Sequence, residues 1–527
     1  MGRETHEFDV VVLGHGIAGM CAAVSAMEKG AKVAVLERAP AEESGGCTRY
    51  TEAFLRMKSE TELSDDFDQE MAEVSSANPD PSLIAEMSRD ADRWPQVVRA
   101  MPVTDPEYLA TFSREAIPTI AWLKRLGVRF IPTRLPQITC RDDTPMIAPS
   151  GGGAAILEVL TKAAIEGGAR FFYETTGRQL IVDDTGRVVG LRAITRNNRP
   201  IDFLAHAVVL ASGGFEGSPE MLARYLGTGS VNIRPIARGA HFNRGEGIRM
   251  ALDIGAAAAG DFGKYHSTPV DERSGRTEAK VLIFPFGIVV NRLGRRFTDE
   301  GSGADYHNYD RMCHAIQTQP NGVGYLILDA KIHDIPNYTK AVFTDKPPIT
   351  ADSLGELARK LVIPAVTLQE TVTAFNKACS PGVFIPNRAD GLRTTGLEPP
   401  KSNWARTIDQ PPFIAYPLIP SGIITFGGIK TNARAEVLNA DGDTIPGLYA
   451  AGAMVGVYYR RYPAATSVLR GATFGRIAGV NAAEAVSGQA RSAKTRRAGT
   501  SASYLSRDSN VTKLQAIEEG KGASDGH

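Results

Sequence analysis

A glycine-rich turn near the amino terminus constrains the fold of this chain more than any other feature. The motif GHGIAG at 14–19 follows a short apolar run, 9–13, and opens a segment with apolar residues at helical spacing. In such a strand–turn–helix unit Gly14 permits the tight turn, Gly16 lets the backbone approach a pyrophosphate, and Gly19 allows the helix to pack closely on the strand. The motif therefore predicts a dinucleotide-binding α/β unit.

An acidic residue closes the next predicted strand. Glu37 stands 23 residues after Gly14, at the end of the apolar run 32–37. A carboxylate in this place accepts hydrogen bonds from a ribose diol and repels a 2′-phosphate, which disfavours NADP. The free N–H groups at the start of the helix favour the pyrophosphate of the same ligand. Motif and carboxylate together predict a bound dinucleotide.

Further glycine clusters favour FAD as that dinucleotide. SGGCT at 44–48, SGG at 212–214, GGG at 151–153 and GLYAAG at 447–452 lie far apart in the chain. A nicotinamide domain needs one glycine loop, whereas an extended FAD needs several along its length. The predicted cofactor-binding residues are Gly14, Gly16, Ala18, Gly19, Glu37, Arg38, Ser44, Gly45, Gly46, Cys47, Thr48, Gly152, Gly153, Ala211, Ser212, Gly213, Gly452, Ser467 and Val468.

Composition excludes several other classes of protein. Lys plus Arg number 59 and Asp plus Glu number 59, so the overall charge gives no reason to expect a nucleic-acid partner. The five cysteines are scattered without a C-x-x-C pair, and we predict no metal site. No run of about 18 uncharged apolar residues is present, which predicts no membrane span. The polar start of the chain does not resemble a signal peptide, so we expect a cytoplasmic protein.

Changes in character along the chain predict its domains. We expect a Rossmann-like FAD-binding domain with a parallel sheet, of the glutathione-reductase type, formed by residues 1–261 and 425–487. Residues 262–424 carry more proline and aromatic residues and lack glycine-turn motifs, so we interpret them as an inserted α+β capping domain. Residues 488–527 have few large apolar groups and are predicted to be a disordered tail.

With these motifs in place, the chain resembles the fumarate reductase/succinate dehydrogenase flavoprotein superfamily over residues 1–485. Within that superfamily it looks most like the tricarballylate dehydrogenase branch. The resemblance implies FAD, bound covalently or noncovalently, a capping domain, and hydride transfer between the flavin and a C–C bond next to an electron-withdrawing group. The closer match rests on SGGCTRYTEAFLRM at 44–57, GRRFTDEGSGADYHNY at 294–309 and GLYAAGAMVGVYYRRYPAATSVLRGATFGRIAG at 447–479.

The chain differs from fumarate reductases at positions where those enzymes carry residues that act in catalysis or bind the substrate. The position of their proton-donating arginine is held by Ala304, with Asp305 beside it. Ile424 stands in place of a histidine before the turn that starts at Thr425, and Tyr462 stands in place of a later arginine. These departures argue against a fumarate reductase mechanism.

A different set of residues is therefore predicted to act on the substrate. The Tyr462–Pro463 pair resembles the corresponding loop of tricarballylate dehydrogenases and, more loosely, of 3-ketosteroid Δ1-dehydrogenases, where a tyrosine helps to bind the substrate carbonyl. A neutral hydroxyl facing a developing enolate is effective electrostatic catalysis. Arginines beside it suit a polycarboxylate substrate. The catalytic candidates are Tyr462, Arg461, Arg460, His266 and Thr425.

The sequence thus predicts an FAD-dependent dehydrogenase, or the reverse reductase, of a small tricarballylate-like carboxylic acid. A 3-ketosteroid-like or cyclic-enone dehydrogenase is the first alternative, and a noncatalytic flavin-binding electron-relay subunit is an alternative from another class. We expect a small-molecule substrate and an external electron acceptor, which is a quinone, a partner protein or oxygen.

Overall fold

The structure, a computed structural model, describes residues 4–77, 102–133, 145–303 and 308–486. The predicted tail, 488–527, lies outside the described residues, as do Ala304 and Asp305. None of the helices in the described ranges combines the length and the apolar character needed to cross a bilayer.

The strands belong to two large sheets and three short ribbons. In chain order the strands of the described residues are β1 (Glu4–Leu13), β2 (Val33–Leu36), β3 (Met57–Ser59), β4 (Glu62–Leu63), β5 (Phe130–Thr133), β6 (Met146–Pro149), β7 (Arg170–Phe172), β8 (Thr175–Val182), β9 (Val188–Thr195), β10 (Pro200–Leu210), β11 (Arg234–Pro235), β12 (Ala258–Ala259), β13 (Tyr265–Asp271), β14 (Ile288–Val290), β15 (Gly324–Leu328), β16 (Ile349–Ala351), β17 (Phe413–Thr425), β18 (Gly428–Ile429), β19 (Glu436–Leu438) and β20 (Thr444–Ala450).

Ten α-helices lie among the described residues. In chain order they are α1 (Ile17–Glu28), α2 (Phe67–Val74), α3 (Pro106–Leu126), α4 (Gly152–Glu166), α5 (Pro219–Leu226), α6 (Glu246–Asp253), α7 (Asn308–Gln317), α8 (Leu354–Leu361), α9 (Ala365–Ala378) and α10, whose described part is 467–486.

The first sheet has the order β19-β20-β10-β1-β2-β7, with β8 and β9 added as an antiparallel pair beside β10. Strand β1 pairs in parallel with β2 and β10, and β10 pairs in parallel with β20. The last four residues of β1 are fully apolar and buried, as expected for a parallel strand covered on both faces. The predicted α/β fold class is confirmed. Leu13 lies opposite both Leu36 and Leu210, so the three strands end at the same edge of the sheet.

The second sheet is built around β17, which pairs antiparallel with β13, β15 and β16 and in parallel with β11. Side chains alternate between its faces: Ile288 and Val290 pack towards α8 and α9, whereas Val289 packs towards α7. Apart from β11 and the last residue of β17, this sheet lies within the stretch interpreted as the cap, and the boundaries at 262 and 424 stay a prediction.

Helices α1 and α10 approach each other closely through a row of small residues. Gly471, Gly475 and Gly479 recur every fourth residue and so lie on one face of α10. A Cβ on Gly475 would lie 2.3 Å from the Ala18 carbonyl oxygen, and one on Gly479 would lie 2.1 Å from the Ala22 carbonyl oxygen. Both contacts are with backbone, which cannot move aside without shifting α1. Glycine is therefore required for this helix pair.

Replacing Gly475 with alanine should destabilise the protein, because the added methyl overpacks the contact between α10 and α1. We expect a loss of about 1–3 kcal/mol, read as a lower midpoint of thermal or denaturant unfolding. Gly355→Ala in α8 is the matched control, since its Cβ would meet only the flexible end of Gln369, at 3.3 Å. A Gly475→Ala midpoint equal to that of the control would contradict this packing.

Candidate cofactor and substrate site

The GHGIAG turn connects β1 to α1, and its three glycines have different surroundings. Gly14 has a φ of 114°, and a Cβ there would lie 2.4 Å from the Ala211 carbonyl oxygen. A Cβ on Gly19 would lie 2.0 Å from the Gly14 carbonyl oxygen. By contrast, the nearest atom to a Cβ on Gly16 is Thr48 Oγ1, at 3.6 Å. Gly14 and Gly19 are thus needed for the fold, whereas the protein leaves room for a Cβ on Gly16.

Glu37 lies directly after β2 and is buried at the same edge of the sheet. Its carboxylate accepts hydrogen bonds from the backbone N–H groups of His15, at 2.9 Å, and Ala39, at 2.7 Å. Burial raises the pKa of the Glu37 carboxyl, and these N–H groups oppose the shift. Its neighbour Arg38 forms an ion pair with Glu246 at the start of α6. The acidic group is therefore fixed in orientation beside the glycine turn.

These elements surround a cavity of about 1150 Å³, which we call the cofactor cavity. The first turn of α1 and the first turn of α10 both border it, so two helix amino termini present N–H groups there. Such termini favour an anionic ligand. The predicted residues that line the cavity are Gly14, Gly16, Ala18, Glu37, Arg38, Gly46, Cys47, Thr48, Ala211, Ser212, Gly213, Gly452, Ser467 and Val468.

The remaining predicted cofactor-binding residues lie behind the residues that line the cofactor cavity and support them. A Cβ on Gly153 would lie 1.9 Å from the Thr48 carbonyl oxygen, so α4 packs directly on the loop at 44–48. Ser44 Oγ lies 2.9 Å from His15 Nδ1, which ties the same loop to the glycine turn. The residues placed in this way are Gly19, Ser44, Gly45, Gly152 and Gly153.

Several polar residues of the cofactor cavity were missed from the sequence, among them Glu216 and Asn243. Glu216 follows the Gly213–Gly214 turn by two positions, so its closeness to a predicted loop was an available signal. Asn243 lies outside all of the motifs that the sequence analysis identified. Thr425, predicted to act on the substrate, instead accepts a hydrogen bond from the Phe215 N–H at 3.1 Å. It therefore holds the turn that precedes Glu216.

A second cavity of about 780 Å³, which we call the substrate cavity, adjoins the first. The two cavities share part of their walls and so lie next to each other. The shared residues are Thr51, Ile423, Ile424, Ser467 and Val468. Of the catalytic candidates, Tyr462 and His266 line the substrate cavity.

A lysine and two glutamates form a charged group on the wall of the substrate cavity, and no sequence motif indicated it. Lys280 Nζ lies 2.8 Å from Glu278 Oε2 and 3.1 Å from Glu52 Oε1. Burial raises the pKa of Glu278 to about 7; Lys280 opposes this shift and the charge of Glu52 adds to it. Burial opposes ionisation of Glu52 as well, but Lys280 and a hydrogen bond from Glu278 hold its pKa below the usual value.

Glu278 also has an unusual backbone. Its φ is 54°, in the left-handed region that non-glycine residues rarely adopt. Backbone of this kind persists where the surrounding structure holds it in place. Glu278 therefore combines a proton that exchanges near neutral pH with a fixed position on the cavity wall.

His266 is oriented by a buried aspartate. Its Nδ1 lies 3.3 Å from Asp310 Oδ1, and its Nε2 lies 3.3 Å from the Tyr309 hydroxyl. Burial alone would raise the pKa of Asp310, but the hydrogen bonds from His266 and His314 hold it well below its usual range. Asp310 is therefore ionised, and its Oδ1 lies beside His266 Nδ1, which leaves Nε2 towards the tyrosine and the cavity.

Tyr462 lines the substrate cavity with its ring, 4.4 Å between centroids from the ring of His266. Its hydroxyl donates to Ser467 Oγ at 2.9 Å and accepts from the N–H groups of Thr466, at 3.1 Å, and Ser467, at 2.9 Å. These are the groups at the start of α10. The hydroxyl thus fixes that helix start, which borders both cavities.

The two predicted arginines are placed differently from Tyr462. Arg461 forms ion pairs with Glu70, at 2.7 Å, and Glu73, at 2.9 Å, both on α2. Neither Arg460 nor Arg461 lies among the described residues that line the two cavities. The structure therefore does not bring them together with Tyr462 and His266, and the cation at the substrate cavity is Lys280.

Known proteins resemble this chain over most of its length. The family model described as "FAD binding domain" matches residues 9–469. A fumarate reductase (cytochrome) of Shewanella frigidimarina is 28% identical over 482 residues, covering 90% of this chain and 77% of that protein. A 4-oxocyclohexanecarboxylate 2-dehydrogenase of Sinomonas cyclohexanicum is 29% identical over 411 residues, covering 71% and 67%. The open conformation of a flavocytochrome c3 fumarate reductase has the same fold, with a TM-score of 0.68, 23% identity, and coverage of 91% of this chain and 79% of that one.

We expect the purified protein to be yellow, with one FAD per chain, and Gly16→Val to lose the FAD while keeping the fold. A Cβ at this position meets no protein atom closer than 3.6 Å, so the side chain would fill only the space of the ligand. Flavin absorbance per chain and circular dichroism measure the two effects. Gly275→Val, at an open position, is the control. Full flavin content in Gly16→Val would contradict the assignment of this cavity.

Proposed function

The chain belongs to the FAD binding domain family, and from this premise we propose that it is an FAD-dependent enzyme that introduces or reduces a C–C double bond next to the carboxylate of a small acid. Relatives named as a fumarate reductase and a 4-oxocyclohexanecarboxylate 2-dehydrogenase support this class of reaction. The segments at 44–57, 294–309 and 447–479 favour a tricarballylate-like acid within the class.

The observation that carries the proposal is the pair of adjoining cavities, one with a dinucleotide loop and one with a titratable acid. Dehydrogenation removes an α-proton and a β-hydride from vicinal carbons, and bound FAD supplies the acceptor for the hydride. The protein must then supply a base for the proton. Glu278 lines the substrate cavity and has a pKa of about 7, close to the value that makes a carboxylate both a competent base and a competent acid.

The neighbours of Glu278 have separate parts in this scheme. Glu52 accepts a hydrogen bond from Glu278 and shares its proton. Lys280 provides the positive charge that a substrate carboxylate needs. His266 Nε2 and the Tyr309 hydroxyl offer polar contacts on the same cavity wall. Tyr462 acts as a positioning residue, because its hydroxyl holds the start of α10 beside both ligands.

A cyclic keto acid is a second candidate substrate. The substrate cavity has a partly apolar wall that includes Phe54, Leu282 and Ile423, which suits a ring. The Sinomonas relative is named for such a substrate. A noncatalytic electron relay is not favoured, because a substrate-sized cavity with a titratable acid would then have no use. The final electron acceptor, whether a quinone, a partner protein or oxygen, stays a prediction, as does cytoplasmic location.

Replacing Glu278 with glutamine should lower turnover by about 10²–10⁴-fold without loss of FAD, because the amide cannot exchange the proton. In the wild type, kcat/KM for dehydrogenation should rise with pH through about 7, since the base must be ionised. The reverse reduction should fall over the same range, since the acid must be protonated. The rise of dehydrogenation and the fall of reduction with pH should both be absent in Glu278→Gln.

The measurement is a pH profile in each direction, with an artificial electron acceptor or donor, using tricarballylate and 4-oxocyclohexanecarboxylate as first substrates. Glu272→Gln, an exposed glutamate outside both cavities, is the matched control. A Glu278→Gln enzyme with wild-type turnover would eliminate Glu278 as the proton-transfer group.

Replacing Lys280 with methionine should raise KM for a carboxylate substrate at least tenfold and leave KM for a neutral cyclic ketone nearly unchanged. Lys280 opposes the upward pKa shift of Glu278. The loss of Lys280 should therefore also move the change in kcat/KM near pH 7 to higher pH. Arg461→Ala serves as the comparison, since its partners lie on α2. If Arg461→Ala raises KM and Lys280→Met does not, the carboxylate is bound by the loop at 460–461 instead.

A further inference from the structure

Glu216 is a buried carboxyl group on the wall of the cofactor cavity, away from the proton-transfer group proposed above. Only 1% of its surface is exposed. It follows the turn at Gly213 and Gly214, which Thr425 holds in place, and it lines the cavity together with Cys47 and Asn243.

The two oxygens of this carboxyl have different partners. Oε1 accepts hydrogen bonds from Asn243 Nδ2, at 2.7 Å, and from the Cys47 thiol, at 3.4 Å. Oε2 is buried and has no hydrogen-bond partner among the described residues. A buried polar oxygen without a partner is costly, and a ligand in the adjoining cavity is the ready source of one.

The surroundings of Glu216 favour its neutral form. Burial raises its pKa to about 7, and the hydrogen bonds from Asn243 and Cys47 only partly oppose this. The Cys47 thiol is itself neutral, because burial and then the charge of Glu216 raise its pKa well above the usual value. Asn243 and Thr425 are uncharged, and the charge of Glu278 acts on the same thiol. FAD would displace the remaining water and bring its diphosphate charge, and both effects favour protonation further.

The position of Glu216 indicates which part of FAD it meets. The Glu37 end of the cofactor cavity suits a ribose diol and hence the adenosine half. The Cys47 sulfur, which contacts Glu216, lies 3.7 Å from the carbonyl oxygen of Ile423. Ile423 belongs to the wall shared with the substrate cavity. The flavin must reach that shared wall to exchange hydride with a substrate, so Glu216 lies at the flavin half.

We propose that Glu216 is a neutral carboxylic acid in the FAD-bound protein and that its Oε2–H donates a hydrogen bond to an acceptor atom of the flavin. Asn243 and Cys47 fix Oε1 as the accepting oxygen and thereby place the proton on Oε2. The inference concerns the cofactor and holds whichever acid is the substrate. Reduction adds negative charge to the flavin acceptors, so this hydrogen bond is stronger to the reduced form and raises the midpoint potential.

Two substitutions of Glu216 separate this state from its alternative, an ionised carboxylate that accepts from a flavin N–H. Glu216→Gln is always neutral and keeps an N–H donor, so its midpoint potential should equal that of the wild type between pH 6 and 8. Glu216→Ala removes the donor. If the hydrogen bond favours reduced over oxidised FAD by tenfold, the potential should fall by about 30 mV for this two-electron couple.

The measurement is reductive titration of the holoprotein against a reference dye, with the visible spectrum of the flavin recorded in each state. All three forms are also compared in a Glu278→Gln background, so that titration of Glu278 cannot imitate that of Glu216. A potential for Glu216→Gln above that of the wild type would mean that a negative charge had been removed, and it would overturn the proposal. An unchanged potential in Glu216→Ala would overturn it as well.

Discussion

The parallel register of the first sheet is the constraint on which the rest of the structure depends. Leu13 is aligned with Leu36 on one side and with Leu210 on the other, and Leu210 is aligned with Ala450. Because parallel strands all end at one edge, four loops from distant parts of the chain meet there. The glycine turn, Glu37, the turn before Glu216 and the segment after β20 thus come to surround one cavity. A shift of register in any one strand would separate them.

Close backbone packing turns that edge into two connected cavities. Glycines in α1, α4 and α10 let helices approach within distances that a Cβ would forbid, as Gly153 does against the Thr48 carbonyl. The first turn of α10 then borders both cavities, and the Tyr462 hydroxyl holds it there through the N–H groups of Thr466 and Ser467. The same helix start thus borders the space proposed for the cofactor and the space proposed for the substrate.

Burial of carboxyl groups gives each cavity a proton that exchanges near neutral pH. Glu278 in the substrate cavity and Glu216 in the cofactor cavity both have a pKa of about 7, and loss of solvation is the main cause for each. Their partners differ: Lys280 stabilises the charged form of Glu278, whereas Glu216 has only the neutral groups of Asn243 and Cys47. The same residue type is thus suited to proton transfer in one place and to hydrogen-bond donation in the other.

The sequence by itself determined the dinucleotide fold and most of the cofactor wall, because glycine turns and apolar strands act through local backbone geometry that a linear pattern records. It also indicated Tyr462 and His266, which stand in or near motifs. Only the tertiary structure decided that Arg461 pairs with Glu70 on α2 and that Lys280 is the cation at the substrate cavity. Arg461 and Glu70 are 391 residues apart and Lys280 and Glu52 are 228 residues apart, and the charge state of a carboxyl depends on burial, which no local pattern encodes.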